Sequence, residues 1–293
     1  MFQQFNDVLL TRSGCLTSPL LKYSMTNFIR RFQLLEPGKI DLEETLASCK
    51  SPTRLLILTN PGNPSGTAYN EEDLQPLVDL YPEGTILGGG MSKWGASGGF
   101  RLGYVHFPPQ LGVLRRAVLM ASSQTHTSPA CPIQHAYAEV LNSDEGRREI
   151  ANFIEGSRLI LEAVARYVER ELTSVGVKCV PSDAGFYAMP DFANIREGLN
   201  MRGITTGIDM TSAMLHEAGV GLLPGEAFLR PSSELTTRLC FINFDGGPFL
   251  ASILDRLPGA TITDEDIRRF CPKTVQGIEA IKAFIMKHQM PER

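Results

Sequence analysis

The chain has 293 residues, a hydrophobic content of 43% and a formal net charge of −4 at pH 7. Its length allows two domains with a large core, and its acidic balance argues against nucleic acid or an anionic membrane as the main partner. Residues 1–7 lack the charged and apolar regions of a secretory signal, and no apolar run approaches the roughly 18 residues of a membrane span. The six cysteines are scattered, which is typical of free thiols in a reducing compartment. We therefore expect a soluble cytoplasmic protein.

The first half of the chain alternates predicted strands and helices. The apolar run 54–59 ends in Asn-Pro-Gly and predicts a buried strand that delivers a loop at its carboxyl end. Asn70, followed by acidic residues, predicts an N-cap and a helix that ends near residue 81. The other elements of this half are strands at 85–87 and 102–107 and helices near 110–121 and 129–142. This alternation indicates an α/β architecture.

A long helix is predicted over residues 144–174, because apolar residues recur there at helical spacing with charges between them. A helix of this length often joins two domains. After it, the predicted elements are strands at 185–189 and 239–244 and helices at 208–218 and 274–288. We therefore expect a major domain over residues 1–160 and a C-terminal small α+β domain over residues 161–293.

A lysine and an arginine share one glycine-rich segment. Lys93 lies between the glycines at 88–90 and Gly95, and Arg101 follows within Gly99-Phe100-Arg101-Leu102-Gly103. A lysine amine condenses with aldehydes, and an arginine guanidinium is a planar fork suited to phosphate. Glycines let a bulky cofactor approach the backbone. Each residue alone is more simply a solvated charge, but together they indicate an aldehyde that carries a phosphate, as pyridoxal 5′-phosphate (PLP) does.

The combined pattern resembles the active-site signature of class I/II aminotransferases, which are fold-type I PLP-dependent enzymes. It comprises Ser92-Lys93, the segment around Arg101, and Asn60-Pro61-Gly62-Asn63-Pro64-Ser65-Gly66 upstream. The similarity runs from about residue 35 to the C terminus and is strongest at 54–67 and 82–107. The resemblance implies a PLP-dependent transferase-like major domain, with an incomplete mixed or parallel sheet and flanking helices. It also implies a homodimer that transfers an amino group between an amino acid and a 2-oxo acid.

The resemblance implies a role for five residues. Lys93 falls on the Schiff-base lysine that also carries the proton, and Ser92 and Arg101 fall on the phosphate ligands. Asn63, next to an expected cis bond to Pro64, falls on the asparagine that contacts the pyridine 3′-oxygen. Arg238 falls on the arginine that grips the substrate α-carboxylate. Taken singly, Asn63 fits ordinary turn chemistry and Arg238 fits a surface charge.

The chain departs from the family pattern between Gly66 and Lys93. This interval has room for one helix and one short strand, whereas the family has a further strand ending in an Asp-Glu-x-Tyr element. The aspartate of that element pairs with the pyridinium nitrogen and keeps the ring able to accept electrons. Residues 80–85 are interpreted as a join across the gap, and Asp79 and Glu83 are candidate replacements, although each is more simply a helix-surface or turn residue. A sheet that lacks an internal strand would also expose backbone edges.

The N-terminal segment is the second departure. The family supplies there a phosphate cup, an aromatic residue stacked on the pyridine and a dimerisation arm, and nothing in residues 1–34 resembles the cup. We therefore expect an N-terminally truncated member with an internal deletion. The alternative function is a catalytically impaired or inactive protein with an inherited PLP fold. A degraded paralogue, a splice variant and a faulty gene model stay open as origins.

Two other kinds of site have weaker support. Gly95-Ala96-Ser97-Gly98-Gly99 matches the G-x-S-x-G elbow of serine hydrolases, but that elbow lies between a strand and a helix. Here a strand is predicted after it, so the context does not fit. The five histidines have no metal-ligand spacing, so no metal site is expected.

Overall fold

The computed structural model describes residues 7–11, 55–80 and 84–289. Within them the chain divides into two units: the first holds residues 7–11, 55–62 and 68–154, and the second holds residues 63–67 and 155–289. The division falls in the same long helix as the predicted boundary, and the limits 1–160 and 161–293 stay predictions. Glu83 and the middle of the predicted join, residues 81–83, lie outside the described residues, as does the segment 12–54 with Cys15 and Cys49.

A four-stranded sheet forms the first unit, in the order β2-β1-β3-β4. The strands are β1 (Asp7–Thr11), β2 (Leu55–Leu58), β3 (Thr85–Gly90) and β4 (Gly103–His106). Every neighbouring pair is antiparallel, so the parallel pairing that the sequence allowed is not found among the described strands. Because β1 runs antiparallel to both β2 and β3, those two strands run parallel to each other and end at the same edge of the sheet.

The strand β1 is not predicted from the sequence. It lies between β2 and β3, so the expected gap inside the sheet is filled by an N-terminal strand. Strand β3 also continues past the predicted 85–87 through its three glycines. Gly89 faces Tyr104 of β4, and a Cβ at position 89 would lie 2.4 Å from the Tyr104 ring. The absence of a side chain at 89 therefore lets that ring lie across the strand.

Four helices of the first unit are described: α1 (Glu71–Leu80), α2 (Met91–Trp94), α3 (Gly112–Thr125) and α4 (Cys131–Asn142). The predicted N-cap of α1 is confirmed. The Asn70 side chain accepts from the Asp73 amide at 2.8 Å, and the Asp73 side chain accepts from the Asn70 amide at 2.8 Å. This reciprocal pair satisfies two backbone donors where the helix begins.

The long helix α5 (Asp144–Thr173) is confirmed within one residue of its predicted end. Its apolar stripe is buried in the second unit, where Ile160, Val164, Val168 and Leu172 are at most 4% exposed. This stripe recurs at the spacing that places side chains on one face of a helix.

The second unit combines short antiparallel strands with helices. Its strands are β5 (Lys178–Cys179), β6 (Tyr187–Ala188), β7 (Pro190–Asp191), β8 (Leu223–Pro224) and β9 (Thr237–Cys240), in the orders β5-β7 and β6-β9-β8. After α5, its helices are α6 (Arg196–Asn200), α7 (Gly207–Ala218), α8 (Gly246–Leu254), α9 (Asp264–Phe270) and α10 (Pro272–His288). Among the described helices of both units, none combines the length and the apolar character that a membrane span requires.

Two predicted strands of this unit are wrong in extent. Of the predicted strand 185–189 only β6, Tyr187–Ala188, is found, and β7 begins after it at Pro190. The predicted strand 239–244 begins at Thr237 and ends at Cys240. Phe241 is 1% exposed, and its amide donates to the Phe186 carbonyl beyond the last ladder pair. A buried aromatic residue directly after a strand therefore extends the apolar run in the sequence, and the strand is predicted too long.

Candidate active site

The segment that carries Lys93 follows the sheet directly. Strand β3 leads into the single turn of α2, where Ser92 is half-buried and Lys93 is exposed. The Met91 amide donates to the Leu102 carbonyl at 3.1 Å and closes the base of residues 91–102, which we call the lysine segment. Ser92, Lys93 and Arg101 therefore share one short, closed stretch of chain.

Arg101 lies at the far end of the lysine segment in a left-handed backbone conformation, with φ of 53°. Its guanidinium Nη1 donates to the Gly98 carbonyl at 3.0 Å. This bond uses one of the five donors of an arginine side chain. The side chain is thus held against the same segment that carries the lysine.

Ser97 occupies the interior of the lysine segment. It is 8% exposed, its Oγ donates to the Met91 carbonyl at 2.8 Å, and it accepts from the Tyr137 hydroxyl at 2.5 Å. A 3₁₀ turn and then β4 follow it, instead of the helix of a nucleophile elbow. A buried hydroxyl whose proton is bound to a carbonyl is not an exposed nucleophile, so the geometry argues against a serine hydrolase.

The loop after β2 carries Asn63. At its base, the Asn60 side chain donates to the Tyr69 carbonyl at 2.9 Å and accepts from the Tyr69 amide at 3.0 Å, with both residues buried. The predicted cis bond between Asn63 and Pro64 is confirmed. The loop therefore has a fixed base, which comes from side-chain bonds that imitate a strand pair.

Gly66 ends the Asn-Pro motif and lies in the second unit, as its backbone partners do. Its φ is 74°, and its carbonyl accepts from the amides of Asp183 and Ala184 at 2.9 Å each. A Cβ at this position would lie 2.4 Å from the Tyr187 carbonyl. Both the backbone conformation and the close approach therefore require glycine.

Arg238 and Asn63 meet in the second unit, although 175 positions separate them. The Arg238 Nη1 donates to the Asn63 Oδ1 at 2.9 Å. The guanidinium carbon lies 4.4 Å from the centre of the Tyr187 ring and 4.9 Å from the centre of the Phe228 ring. Two aromatic rings thus hold the planar cation in one orientation.

The sequence predicts Asn63 and Arg238 but not their aromatic neighbours. Tyr187 lies on β6 and Phe228 follows β8, and both strands pair with β9, which carries Arg238. The contact depends on strand register, which the sequence leaves open. Aromatic residues within or shortly after the strands that flank a strand with an arginine are the signal that could have found them.

The sequence matches the family described as "Aminotransferase class I and II" over residues 20–87 and 78–244. The chain belongs to this family, whose members use PLP. The two matched stretches overlap at residues 78–87, where the sequence predicts a join across a missing interval. The predicted internal deletion therefore coincides with the break in the match.

Curated relatives agree with the family assignment. The chain is 24% identical over 231 residues to the asparagine–oxo-acid transaminase of Streptococcus mutans, and the alignment covers 67% of this chain and 55% of that protein. It is 28% identical over 225 residues to the aspartate/prephenate aminotransferase of Thermus thermophilus, with 67% and 54% covered. The chain thus spans about half the length of these relatives. Their transaminase names do not favour the alternative of an inactive protein.

Solved structures confirm the α/β fold. The aromatic aminotransferase of Pyrococcus horikoshii superposes with a TM-score of 0.60 at 20% identity, over 86% of this chain and 64% of that one. The aspartate aminotransferase of Thermotoga maritima superposes with a TM-score of 0.55 at 20% identity, over 87% and 62%. Similarity at this level of identity supports the fold alone.

Proposed function

We propose that the protein transfers an amino group between an amino acid and a 2-oxo acid, with PLP held on Lys93. The observation that carries this proposal is the Asn63–Arg238 contact. Two residues that the family motifs single out, far apart in sequence, form a hydrogen bond at 2.9 Å, and the centres of two aromatic rings lie 4.4 and 4.9 Å from the Arg238 guanidinium carbon. The family match supports the same reaction.

The lysine segment fits a phosphorylated aldehyde. It offers an amine at Lys93, a hydroxyl at Ser92 and a guanidinium at Arg101, which are the donors that an aldehyde and a phosphate require. Bound PLP supplies an electron sink for the bond broken at the substrate α-carbon. In the proposal, Ser92 and Arg101 bind the phosphate, and the Lys93 amine carries the proton that leaves the α-carbon.

The contact with Arg238 fixes the orientation of the Asn63 amide. A guanidinium has only donors, so the Asn63 atom that faces it must be the carbonyl oxygen. The Asn63 NH₂ group is then the one that donates to the 3′-oxygen of PLP. This is the polarity that an anionic ring oxygen needs.

In this proposal, Arg238 binds the substrate α-carboxylate. The bond to Asn63 uses one of the five guanidinium donors, so N–H groups remain that could bind a carboxylate through two parallel hydrogen bonds. The names of the relatives point to aspartate and asparagine as the amino acids to try first.

Borohydride trapping tests the cofactor site. Purified protein is incubated with PLP, reduced with borohydride and digested, and a pyridoxyl mass is expected on the peptide that contains Lys93. Lys93→Ala should abolish it, whereas Lys178→Ala, a change at another exposed lysine, should leave it intact. An adduct spread over several lysines, or none on Lys93, contradicts the proposal.

Substrate kinetics test Arg238. Loss of a bidentate charged contact should raise the KM for the amino acid by roughly 10–100-fold in Arg238→Ala. Arg238→Lys should recover only part of this loss, because an ammonium is not a planar fork. Arg196→Ala is the matched control, since Arg196 is partly exposed in the same unit, as Arg238 is, and donates to the Ser233 carbonyl. An unchanged KM in Arg238→Ala contradicts the assigned role.

We further propose that residues 1–160 form the PLP-binding major domain, that residues 161–293 form the small domain, and that the protein is a homodimer. Support for a dimer comes from exposed apolar side chains of the first unit. Val113, Leu119 and Met120 of α3 are 73%, 56% and 71% exposed. Light scattering after size exclusion should give twice the chain mass, and Leu119→Lys should lower it. A monomer at micromolar concentration contradicts this.

We also infer that the protein functions in the cytoplasm. Two of its described cysteines, Cys131 and Cys240, are exposed and unpaired with another thiol, which suits a reducing compartment. Fluorescence microscopy of a tagged chain tests this, and a signal confined to the secretory pathway contradicts it.

A further inference from the structure

Two hydroxyl groups link helix α4 to the interior of the lysine segment. The Tyr137 hydroxyl lies 2.5 Å from the Ser97 Oγ, and the Ser97 Oγ lies 2.8 Å from the Met91 carbonyl oxygen. All three residues belong to the first unit. Met91 and Ser97 flank Lys93 on its two sides.

The direction of this hydrogen-bond chain is fixed by its last member. A carbonyl oxygen can only accept, so the Ser97 hydroxyl donates a hydrogen bond to the Met91 carbonyl. The Ser97 oxygen must then accept, and Tyr137 must donate to it. Each of the two hydroxyl hydrogens therefore has a single acceptor. The pair of hydrogen bonds resists rearrangement more than two freely rotating hydroxyls would.

Gly95 provides the space for this chain. A Cβ at position 95 would lie 3.1 Å from the Tyr137 hydroxyl, 3.3 Å from the Ser97 Oγ and 2.9 Å from the Met91 carbonyl oxygen. The Met91 carbonyl also accepts from the Gly95 amide at 3.1 Å. The turn after α2 is therefore closed around the hydroxyl pair.

The backbone beside Lys93 is strained, so it needs this support. Ala96 has a φ of 47°, which is left-handed and costs a residue with a Cβ about 1–2 kcal/mol. Its amide donates to the Lys93 carbonyl at 3.2 Å. Strained conformations persist where surrounding contacts over-determine them. The hydroxyl chain supplies such contacts on both sides of the lysine.

We propose that Tyr137 and Ser97 are positioning residues that set the direction from which the Lys93 amine meets its aldehyde. This inference rests on the proposed role of Lys93. Neither residue touches the reacting atoms in the proposal; both act through the Met91 carbonyl and the turn. Their removal should therefore change the geometry at Lys93 and leave the amino-acid contact at Arg238 unchanged.

The test compares Tyr137→Phe and Ser97→Ala with the unaltered protein. PLP binding is followed by quenching of Trp94, which is the one tryptophan of the chain and neighbours Lys93. Loss of one hydrogen bond should weaken PLP binding about three- to tenfold. The pH midpoint of the visible absorbance band of the lysine-bound cofactor should move by about half a unit, because the nitrogen that joins Lys93 to the cofactor would have a different local environment. Transamination should lose kcat with little change in KM.

Matched variants separate positioning from simple loss of stability. Ser252→Ala removes the same kind of bond, from a serine Oγ to the Phe249 carbonyl at 2.7 Å, in the second unit, and should change none of these values. Ser97→Thr keeps the hydroxyl and should retain the pH midpoint of the unaltered protein. Hydrogen exchange without PLP should show faster exchange of residues 91–102 in Tyr137→Phe, with peptides of the second unit unchanged.

The outcomes distinguish this inference from the proposed function. If the unaltered protein forms no borohydride-fixed adduct on Lys93, the proposed function is wrong, and the positioning role falls with it. If that adduct forms while the pH midpoint and PLP affinity of both variants stay unchanged, the positioning role alone is overturned. A loss of affinity without any shift in the midpoint also overturns it, since reduced stability would explain that result.

Discussion

The two units differ in how much apolar surface they bury. The second unit has a continuous core in which Val164, Met210 and Phe249 are fully buried, each 0% exposed. In the first unit, helices α3 and α4 have no buried side chain, and Met120 is 71% exposed. The unit with the large core thus holds Asn63 and Arg238, whereas the described residues of the unit with the lysine segment include few buried side chains. The large core and the lysine segment are therefore located in different parts of the described chain.

The largest effect that we predict is the loss of a core aromatic. Phe249→Ala should lower the free energy of unfolding by about 3–5 kcal/mol, because the ring is fully buried and stacks on Phe270 with centroids 4.7 Å apart. Met120→Ala in α3 should change it by less than about 0.5 kcal/mol at concentrations too low for the proposed dimer to form, since that side chain is 71% exposed within one chain. Urea denaturation followed by circular dichroism measures both.

The comparison between the units depends on the second of these variants. If Met120→Ala destabilises as much as Phe249→Ala, the α3 face is covered in solution and the first unit is not poorly buried. Repeating the titration at several protein concentrations then identifies a covering subunit, since the midpoint would rise with concentration.

A substitution at Gly66 should have the next largest effect. Gly66→Ala places a Cβ 2.4 Å from the Tyr187 carbonyl and forces a left-handed alanine, so we expect a loss of about 2–3 kcal/mol. Gly203→Ala is the control, because Gly203 has the same φ of 74° but nothing within 4 Å of an added Cβ. The two should differ by about the cost of the clash. Equal losses would mean that backbone strain alone explains the effect.

Acid should weaken the second unit through Glu217. Two hydrogen bonds lower the pKa of this carboxyl to about 2. The larger contribution comes from Arg202, at 2.6 Å, and the smaller from Lys287, at 2.7 Å. A carboxyl whose folded pKa lies below its ordinary 4.5 stabilises the fold above that pH and loses this effect as the pH falls toward 2. Glu217→Gln should lower the melting temperature by about 2–4 °C at pH 7, and the difference should vanish near pH 2. Calorimetry that gives a constant difference from pH 7 to pH 2 contradicts this.

Local signals in the sequence predict part of this molecule well. The spacing of apolar residues predicts α5 within one residue, and Asn70 with its acidic neighbours predicts the start of α1. The lysine segment is also predictable, because Ser92, Lys93 and Arg101 are close in sequence. Features that involve neighbouring residues can be read from the chain because few backbone angles separate them.

Features that depend on distant contacts are missed. One local feature is missed as well, because helix α8 begins with Gly-Gly-Pro, which is typical of a loop, although the Asp245 side chain accepts from the Gly247 amide and caps the helix. Strand β1 has its partners near residues 58 and 88, and the bond between Tyr137 and Ser97 spans 40 positions. Register and tertiary packing decide such contacts, and neither follows from local composition.

The smallest predicted effect concerns strain in the lysine segment. Ala96→Gly should raise the free energy of unfolding by about 0.5–1 kcal/mol, because relief of the left-handed conformation exceeds the added entropy of an unfolded glycine. The exposed Ala96 side chain has little packing to lose. Leu229→Gly is the counterpart in the second unit, with φ of 61° and 48% exposure. Denaturation followed by Trp94 fluorescence should detect the change in Ala96→Gly, and circular dichroism should detect the changes in both variants. A lower free energy of unfolding in Ala96→Gly would mean that the left-handed conformation of Ala96 is not the source of strain.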